Sequence, residues 1–349
     1  MPSLPSQRTP TPTRKPAMFP RLSRRRFIGI TAAAAGLGLV PFGRAAGTEA
    51  HLVTWRGQAM GAVASLQVHH HDRAAAERLV EHALAEVRRL EQVFSLYRED
   101  TALVALNRHG ILVAPPADLV AVLAECRRCW GLTGGAFDPT VQALWILYRD
   151  HFSKDDADPV GPSAPALREA LERVGFGRVN FDANRVALSR RGMGLTLNGI
   201  AQGYVTDRVV GILRAGGIDS SLVDMGEPRA MGSHPSGRPW RVGITDPLDP
   251  ARIGETLNVV GQAVATSGAY GFRFDPRGRF NHLLDPRTGA SAHLYRSVTT
   301  VMPSATAADA LSTAFSLMPV AAIARTLRQL GEGQVRLTTE TGEAITLEP

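Results

Sequence analysis

The sequence predicts an α+β fold, and three observations predict it. Some segments carry apolar residues three or four apart, as helices do, while others alternate or run apolar over five to eight residues, as strands do. These segments follow one another without a regular strand-helix alternation, which argues against a doubly wound sheet. The composition, 44% hydrophobic and 20% charged over 349 residues, is that of a chain able to bury a sizeable core. Residues 47–349 are read as one mixed domain, behind a leader at 1–46.

The leader carries most of the charge asymmetry. The net charge is +7, yet residues 1–46 hold Arg8, Arg14, Lys15, Arg21, Arg24, Arg25, Arg26 and Arg44 and no acidic residue. The remainder has 31 basic and 32 acidic side chains, so bulk charge gives no support to a nucleic-acid or acidic-membrane partner. Ser23-Arg24-Arg25-Arg26-Phe27, an apolar run from Phe27 to Val40 and small residues to Gly47 resemble a twin-arginine export signal, with cleavage near Ala45 or Ala46. That run is 14 residues, short of the roughly 20 needed to cross a hydrocarbon core, and no later segment is long and apolar enough to span. The expectation is a periplasmic protein exported by the twin-arginine machinery; an uncleaved N-terminal anchor is the competing reading.

Along the chain, Thr54–His69 reads as a strand with a glycine-rich interruption at Gly57–Gly61, and His69-His70-His71 as a solvated connection, since consecutive residues on a strand point different ways. Asp72 caps a helix with Leu79, Ala83, Val87, Leu90 and Phe94 on its apolar face. Asp100 is placed at the start of a short helix ending near Gly110, and Asp118 at the start of one through Cys126 and Cys129. The spacing Leu119, Val122, Leu123, Cys126, Trp130 makes Cys126 a core residue in preference to half of a redox pair, and no second C-x-x-C exists for a structural zinc. Gly134–Thr140 forms a turn before the apolar segment Val141–Tyr148. Residues 153–165, rich in Asp, Pro, Gly and Ser, form a loop. A helix at Ala164–Val174 and a hairpin at Val179–Leu188 follow. A helix follows Thr196-Leu197-Asn198-Gly199. Strands are expected at Ser221–Met225, Trp240–Ile244, Leu257–Thr266 and Arg296–Met302, helices at Ala305–Leu317 and Val320–Leu330, and a hairpin at Gln334–Leu347.

Two stretches carry chemistry. Phe280–Gly289 sets His282 and Asp285 three residues apart where an apolar strand end enters a turn stiffened by Pro286. Punctuation of a turn accounts equally well for Asp-Pro and Thr-Gly. Downstream, Thr306, Asp309 and Thr313 fall on one helical face, a carboxylate beside hydroxyls that suits a hard cation such as Mg²⁺, although Asp and Thr near a helix start also serve as caps. A glycine at a helix start, as at Gly199, lets backbone N–H groups approach an anion.

Taken in order, Ala59-Met60-Gly61, Phe94–Tyr97, Gly135–Thr140, Gly199–Tyr204, Ala265–Gly268, His282–Gly289 and Ala308-Asp309-Ala310 with Thr313 resemble the ApbE family of FAD:protein FMN transferases over roughly residues 54–318. The resemblance implies a single mixed domain of largely antiparallel strands with packed helices. It implies an enzyme that splits the FAD pyrophosphate with Mg²⁺, moves FMN onto a Thr or Ser of an acceptor protein and releases AMP. Family FAD contacts fall on Met60, Ser95, Leu96, Tyr97, Ala136, Phe137, Asp138, Thr196, Gln202 and His282, and metal contacts on Gly199 through its carbonyl, Thr306, Asp309 and Thr313. His282 is then a pyrophosphate contact or a proton carrier for the acceptor hydroxyl, with Asp285 orienting it or acting as base.

Three departures stand out: Gln202 where many relatives have Lys, Gly226-Glu227-Pro228 in place of a Gly-Gly-acidic turn, and Ala62 in place of Thr. The stretch Leu197–Tyr204 also resembles the exported NosX-like branch that accompanies respiratory systems. Two alternatives follow: an FAD pyrophosphate hydrolase giving FMN and AMP, and a non-catalytic FAD-binding assembly factor for a respiratory metalloprotein.

Overall fold

The computed structural model describes residues 51–249 and 251–349; the twin-arginine motif lies outside the described residues. In chain order the strands are β1 (His51–Ala59), β2 (Ala62–His70), β3 (Ile111–Val113), β4 (Val179–Phe181), β5 (Arg185–Leu188), β6 (Ser221–Asp224), β7 (Pro228–Met231), β8 (Trp240–Thr245), β9 (Ile253–Val259), β10 (Ala263–Ser267), β11 (Tyr295–Met302), β12 (Gln334–Thr339) and β13 (Ala344–Leu347). The helices are α1 (Arg73–Phe94), α2 (Ala102–His109), α3 (Ala117–Leu132), α4 (Gln142–Phe152), α5 (Ala164–Leu171), α6 (Ala201–Ala215), α7 (Ala305–Phe315) and α8 (Val320–Leu330).

Eight strands form one sheet in the order β1-β2-β6-β7-β10-β11-β12-β13, and every neighbouring pair is antiparallel. Its central strands are buried on both faces. Because side chains alternate along a strand, Val223, Ala263, Ala265, Val298 and Met302 enter the helical core, whereas Leu222, Val264 and Val301 meet Trp240, Val242, Leu257 and Val259 of the separate β8–β9 hairpin. The result is three layers: helices, sheet, hairpin. Fully buried Phe94, Phe176 and Phe315 anchor the helical side, each adding about 2–3 kcal/mol of apolar burial.

A smaller cluster joins α4 and α5 to Phe274, Phe280 and Leu284. Tyr148 stacks on Phe274 at 5.5 Å, and its hydroxyl donates to the Gly289 carbonyl at 2.9 Å. That cluster buttresses the His282 stretch from behind.

The mixed, antiparallel fold is as expected, and several boundaries are corrected. Thr54–His69 is a hairpin of two strands; Met60 (φ 51°) and Gly61 (φ 81°) form a two-residue turn of the left-handed kind that matches strand twist. The run Leu257–Thr266 likewise breaks into β9 and β10 around Gly261, and β7 was not expected. Thr101, not Asp100, caps α2 by accepting from Val104 N at 3.1 Å. Asp118 lies inside the first turn of α3, where its carboxylate meets Arg89 at 2.6 Å and the Tyr204 hydroxyl at 2.8 Å. Asp72 caps α1 as expected, and Cys126 and Cys129 are free and buried in the core. Among the described residues, no helix is long and apolar enough to cross a membrane.

Candidate active site

A cleft opens where β10 ends. Thr266, Ser267 and Gly268 form one wall, Thr196, Asn198 and Gly199 a second, Gly226 and Glu227 a third, with Val242 and Gly243 of the hairpin layer, Tyr270 and His282 at the sides, and Asp309 and Thr313 of α7 at the base. Local sequence explains this convergence. The chain turns tightly into α6, with Ile200 N and Ala201 N both donating to the Leu197 carbonyl, and Thr196 N is tied to Pro139 O at 2.8 Å. A Cβ on Gly199 would sit 2.8 Å from Thr313 Oγ1, so glycine is what lets this backbone reach the hydroxyl. Four residues on, Gly203 lets α6 pack directly on the Ala305 carbonyl at the start of α7. Gly203 N then donates to Asp309 Oδ2 at 3.1 Å, which spends one carboxylate oxygen on α6.

The base of the cleft is acidic, and the carboxylates at and behind it are buried. Burial pushes the Asp309 carboxyl up to about 7, with the Gly203 N–H pulling down and Asp207 pushing further up. Burial raises Glu227 well above the usual carboxylate range, reinforced by Asp309 and Asp224. Asp224 is raised to about 6 by burial, against a 3.0 Å hydrogen bond from Gly226 N. Buried carboxylates held near one another stay neutral or need a cation. No cluster of three or more His, Cys, Asp or Glu able to hold a metal occurs among the described residues. The donors gathered here are instead a carboxylate (Asp309), a hydroxyl (Thr313) and the Gly199 backbone beside it, hard oxygen chemistry that fits Mg²⁺ completed by water and phosphate oxygens.

His282 lines the same cleft. Its Nδ1 donates to the Phe272 carbonyl at 3.2 Å, since a carbonyl can only accept, which leaves Nε2 with the lone pair. Burial lowers its pKa to about 4, with the Phe272 carbonyl pulling the other way, so the ring is neutral near pH 7 with an unprotonated Nε2.

Of the residues expected in the site, Thr196, Gly199, His282, Asp309 and Thr313 line this cleft. Tyr97 reaches its rim through Asn198, whose amide donates to the Tyr97 hydroxyl at 3.4 Å. Ser95 and Leu96 lie beside Tyr97 in the same turn, where the Ser95 carbonyl accepts from Thr101 Oγ1 at 2.7 Å. Gln202 is buried behind Gly226, whose Cβ position lies 2.6 Å from the Gln202 amide carbon. Met60 sits in the β1–β2 turn with its N–H on Glu91 Oε1 at 2.7 Å, and Ala136 and Phe137 belong to the helical core.

Three of the expected residues have other partners in the structure. Asp285 does not orient His282: its carboxylate pairs with Arg287 at 2.9 Å and braces the Pro286–Gly289 turn, and Phe272 O takes the orienting role. Thr306 is turned away from the metal donors, giving its hydroxyl to Asp207 Oδ2 at 2.6 Å. The Asp138 carboxylate serves the turn it sits in, accepting from Thr140 N and Phe176 N, both at 2.8 Å.

Comparison with known proteins agrees with this geometry: the ApbE family profile matches residues 60–337. The chain belongs to the ApbE family. A FAD:protein FMN transferase of Treponema pallidum is 37% identical over 273 residues, covering 69% of this chain and 72% of the relative. The ApbE protein of Thermotoga maritima superposes with a TM-score of 0.74 at 28% identity, over 85% of this chain and 97% of the other. The flavin transferase ApbE of Vibrio cholerae gives 0.73 at 25% identity, over 85% and 97%.

Within this ApbE fold, sequence reasoning missed two cleft residues. Glu227 was noticed only as an irregular turn, and nothing local announces that β6 and β7 bury it beside α7. Tyr270 follows Ala265–Gly268 by two residues; its hydroxyl is buried without a hydrogen-bond partner, close enough to Glu227 for the carboxylate to raise its pKa to about 12, after burial.

Proposed function

We propose that this ApbE-family protein is an Mg²⁺-dependent transferase that moves FMN from FAD to a Thr or Ser hydroxyl of an acceptor protein and releases AMP. The observation that carries this reading is a single cleft lined both by a neutral His282, its Nδ1 on the Phe272 carbonyl, and by the oxygen donors Asp309, Thr313 and Gly199. Those three would hold Mg²⁺, which when bound supplies charge neutralisation at the pyrophosphate. The chain's own groups supply the rest. The glycine-lined turn at Asn198–Gly199 lets backbone approach a phosphate, and His282 Nε2 takes the proton of the acceptor hydroxyl as its oxygen bonds to the FMN phosphorus. The bond from that phosphorus to the AMP oxygen breaks in the same displacement.

We infer a periplasmic location from Ser23–Phe27 and the apolar run after it. Export should be lost when Arg24 and Arg25 are both replaced by Lys.

The deciding experiment incubates the protein with FAD, Mg²⁺ and a candidate acceptor and looks for a covalent FMN mass increment on the acceptor, abolished by EDTA. AMP without modified acceptor would replace transfer by FAD hydrolysis. Neither product would leave only an FAD-binding assembly role.

A further inference from the structure

Asp207 is absorbed by no step above, yet four polar groups converge on its carboxylate. It lies on α6, one turn beyond Gly203. Its Oδ1 accepts from Ala305 N at 2.9 Å, and its Oδ2 accepts from Thr306 N at 2.9 Å and Thr306 Oγ1 at 2.6 Å. Arg229 of β7 pairs with the same carboxylate. Asp207 therefore caps α7 from outside, taking backbone N–H groups that no residue of α7 satisfies and placing negative charge at the positive end of its dipole. Ser304, the helix's own cap, takes Ala307 N on its hydroxyl at 3.2 Å and Ala308 N on its carbonyl at 3.1 Å, leaving the N–H groups of residues 305 and 306 to Asp207.

The contacts between α6 and α7 are reciprocal. Gly203 N–H of α6 holds the Asp309 carboxylate of α7, and four residues along, the Asp207 carboxylate of α6 holds the N–H groups of α7 at positions 305 and 306. Two bonds of opposite polarity, one turn apart on each helix, fix both the axial register and the rotation of α7 against α6. Asp309 spends Oδ2 on Gly203. Register alone then decides where Oδ1, Thr313 and the Gly199 backbone stand relative to one another.

We propose that Asp207 is a positioning residue that sets the register of α7 so that Asp309 and Thr313 converge with Gly199 on the cation. It rests on the Mg²⁺ reading above. In this role the Thr306 hydroxyl belongs to the Asp207 clamp and is no ligand.

The test measures the rise in melting temperature with added Mg²⁺, in the presence of FAD, for wild type, Asp207→Asn and Ser304→Ala. Both substitutions remove a cap from the same helix, so both should lower the starting melting temperature. Only D207N should shift the Mg²⁺ concentration at half-response, upward by about tenfold, the equivalent of about 1.4 kcal/mol. Should D207N not fold, Asp207→Glu, which keeps the charge and displaces the carboxylate by one methylene, carries the same comparison. A half-response equal to wild type in the Asp207 variant overturns the inference and leaves the metal reading intact. A wild-type protein without any Mg²⁺ response removes both.

Discussion

His282 is half-buried in the cleft wall, and the burial that lowers its pKa has a thermodynamic consequence separable from catalysis. Its folded pKa of about 4 lies below the ordinary 6.5. Between those values the unfolded chain takes up a proton that the folded protein refuses, so stability is complete above pH 6.5 and falls as pH drops toward 4. A shift of this size sets an upper bound of about 3 kcal/mol. His282→Gln lacks the titration. The difference in unfolding free energy between wild type and H282Q should therefore be flat above pH 6.5 and move in favour of the variant by about 2 kcal/mol by pH 4.5, measured by urea denaturation. A flat difference throughout would mean the ring is not held neutral. The same variant should lose FMN transfer by a factor of about 10²–10⁴ at pH 7, the usual contribution of a placed general base. At this scale the sequence was informative about which residue types gather and poor about what each oxygen touches. The H-x-x-D spacing suggested a pair, but the two side chains leave the turn in different directions, and Arg287, two residues on, outcompetes the imidazole for Asp285.

Elements were legible where one face is apolar and the caps are local. Helices α1 and α8 fall at their expected positions because their periodicity is strong, α7 because it is an unbroken alanine-rich run buried nearly all round, and the β12–β13 hairpin because its strands are separated by a glycine-containing turn. Errors arose where a strand boundary depends on backbone conformation: Met60 adopts positive φ with no sequence mark beyond its neighbour Gly61. What no pattern could show is the close approach of α6 to α7, which only Gly203 permits. Gly203→Ala tests it. On an isolated helix the change would be favourable by about 1 kcal/mol. Here the new methyl meets the Ala305 carbonyl, a rigid backbone group, so the helices must separate. Overpacking should win, with a net loss of about 1–3 kcal/mol in unfolding free energy. A stabilised G203A would show that the α6–α7 contact yields.

At the scale of the molecule, the cleft exists because three layers end together. The helical layer contributes Asp309 and Thr313, the sheet contributes Thr266 and Ser267, and the β8–β9 hairpin closes the far side with Val242 and Gly243. Sequence order could not show this third layer, because among the described residues no strand ladder joins the hairpin to the main sheet, and side-chain packing together with the Arg336–Glu255 ion pair attaches it. Its anchor is Trp240, buried among Leu222, Ala230, Val264 and Val301 across the layer boundary. An anchor that holds by packing transmits its loss to whatever the hairpin shapes. Trp240→Ala should cost about 3–5 kcal/mol in stability and, because Val242 and Gly243 lie two and three residues along the same strand, weaken FAD binding as well. Trp240→Phe keeps most of the packing and removes an indole N–H that is buried without a partner, a group that costs about 1–3 kcal/mol when unsatisfied. The phenylalanine variant should therefore sit within about 1 kcal/mol of wild type and bind FAD normally, read by thermal denaturation and flavin fluorescence titration. If W240A bound FAD as tightly as wild type, the hairpin would be a cover on the sheet with no part in the cleft.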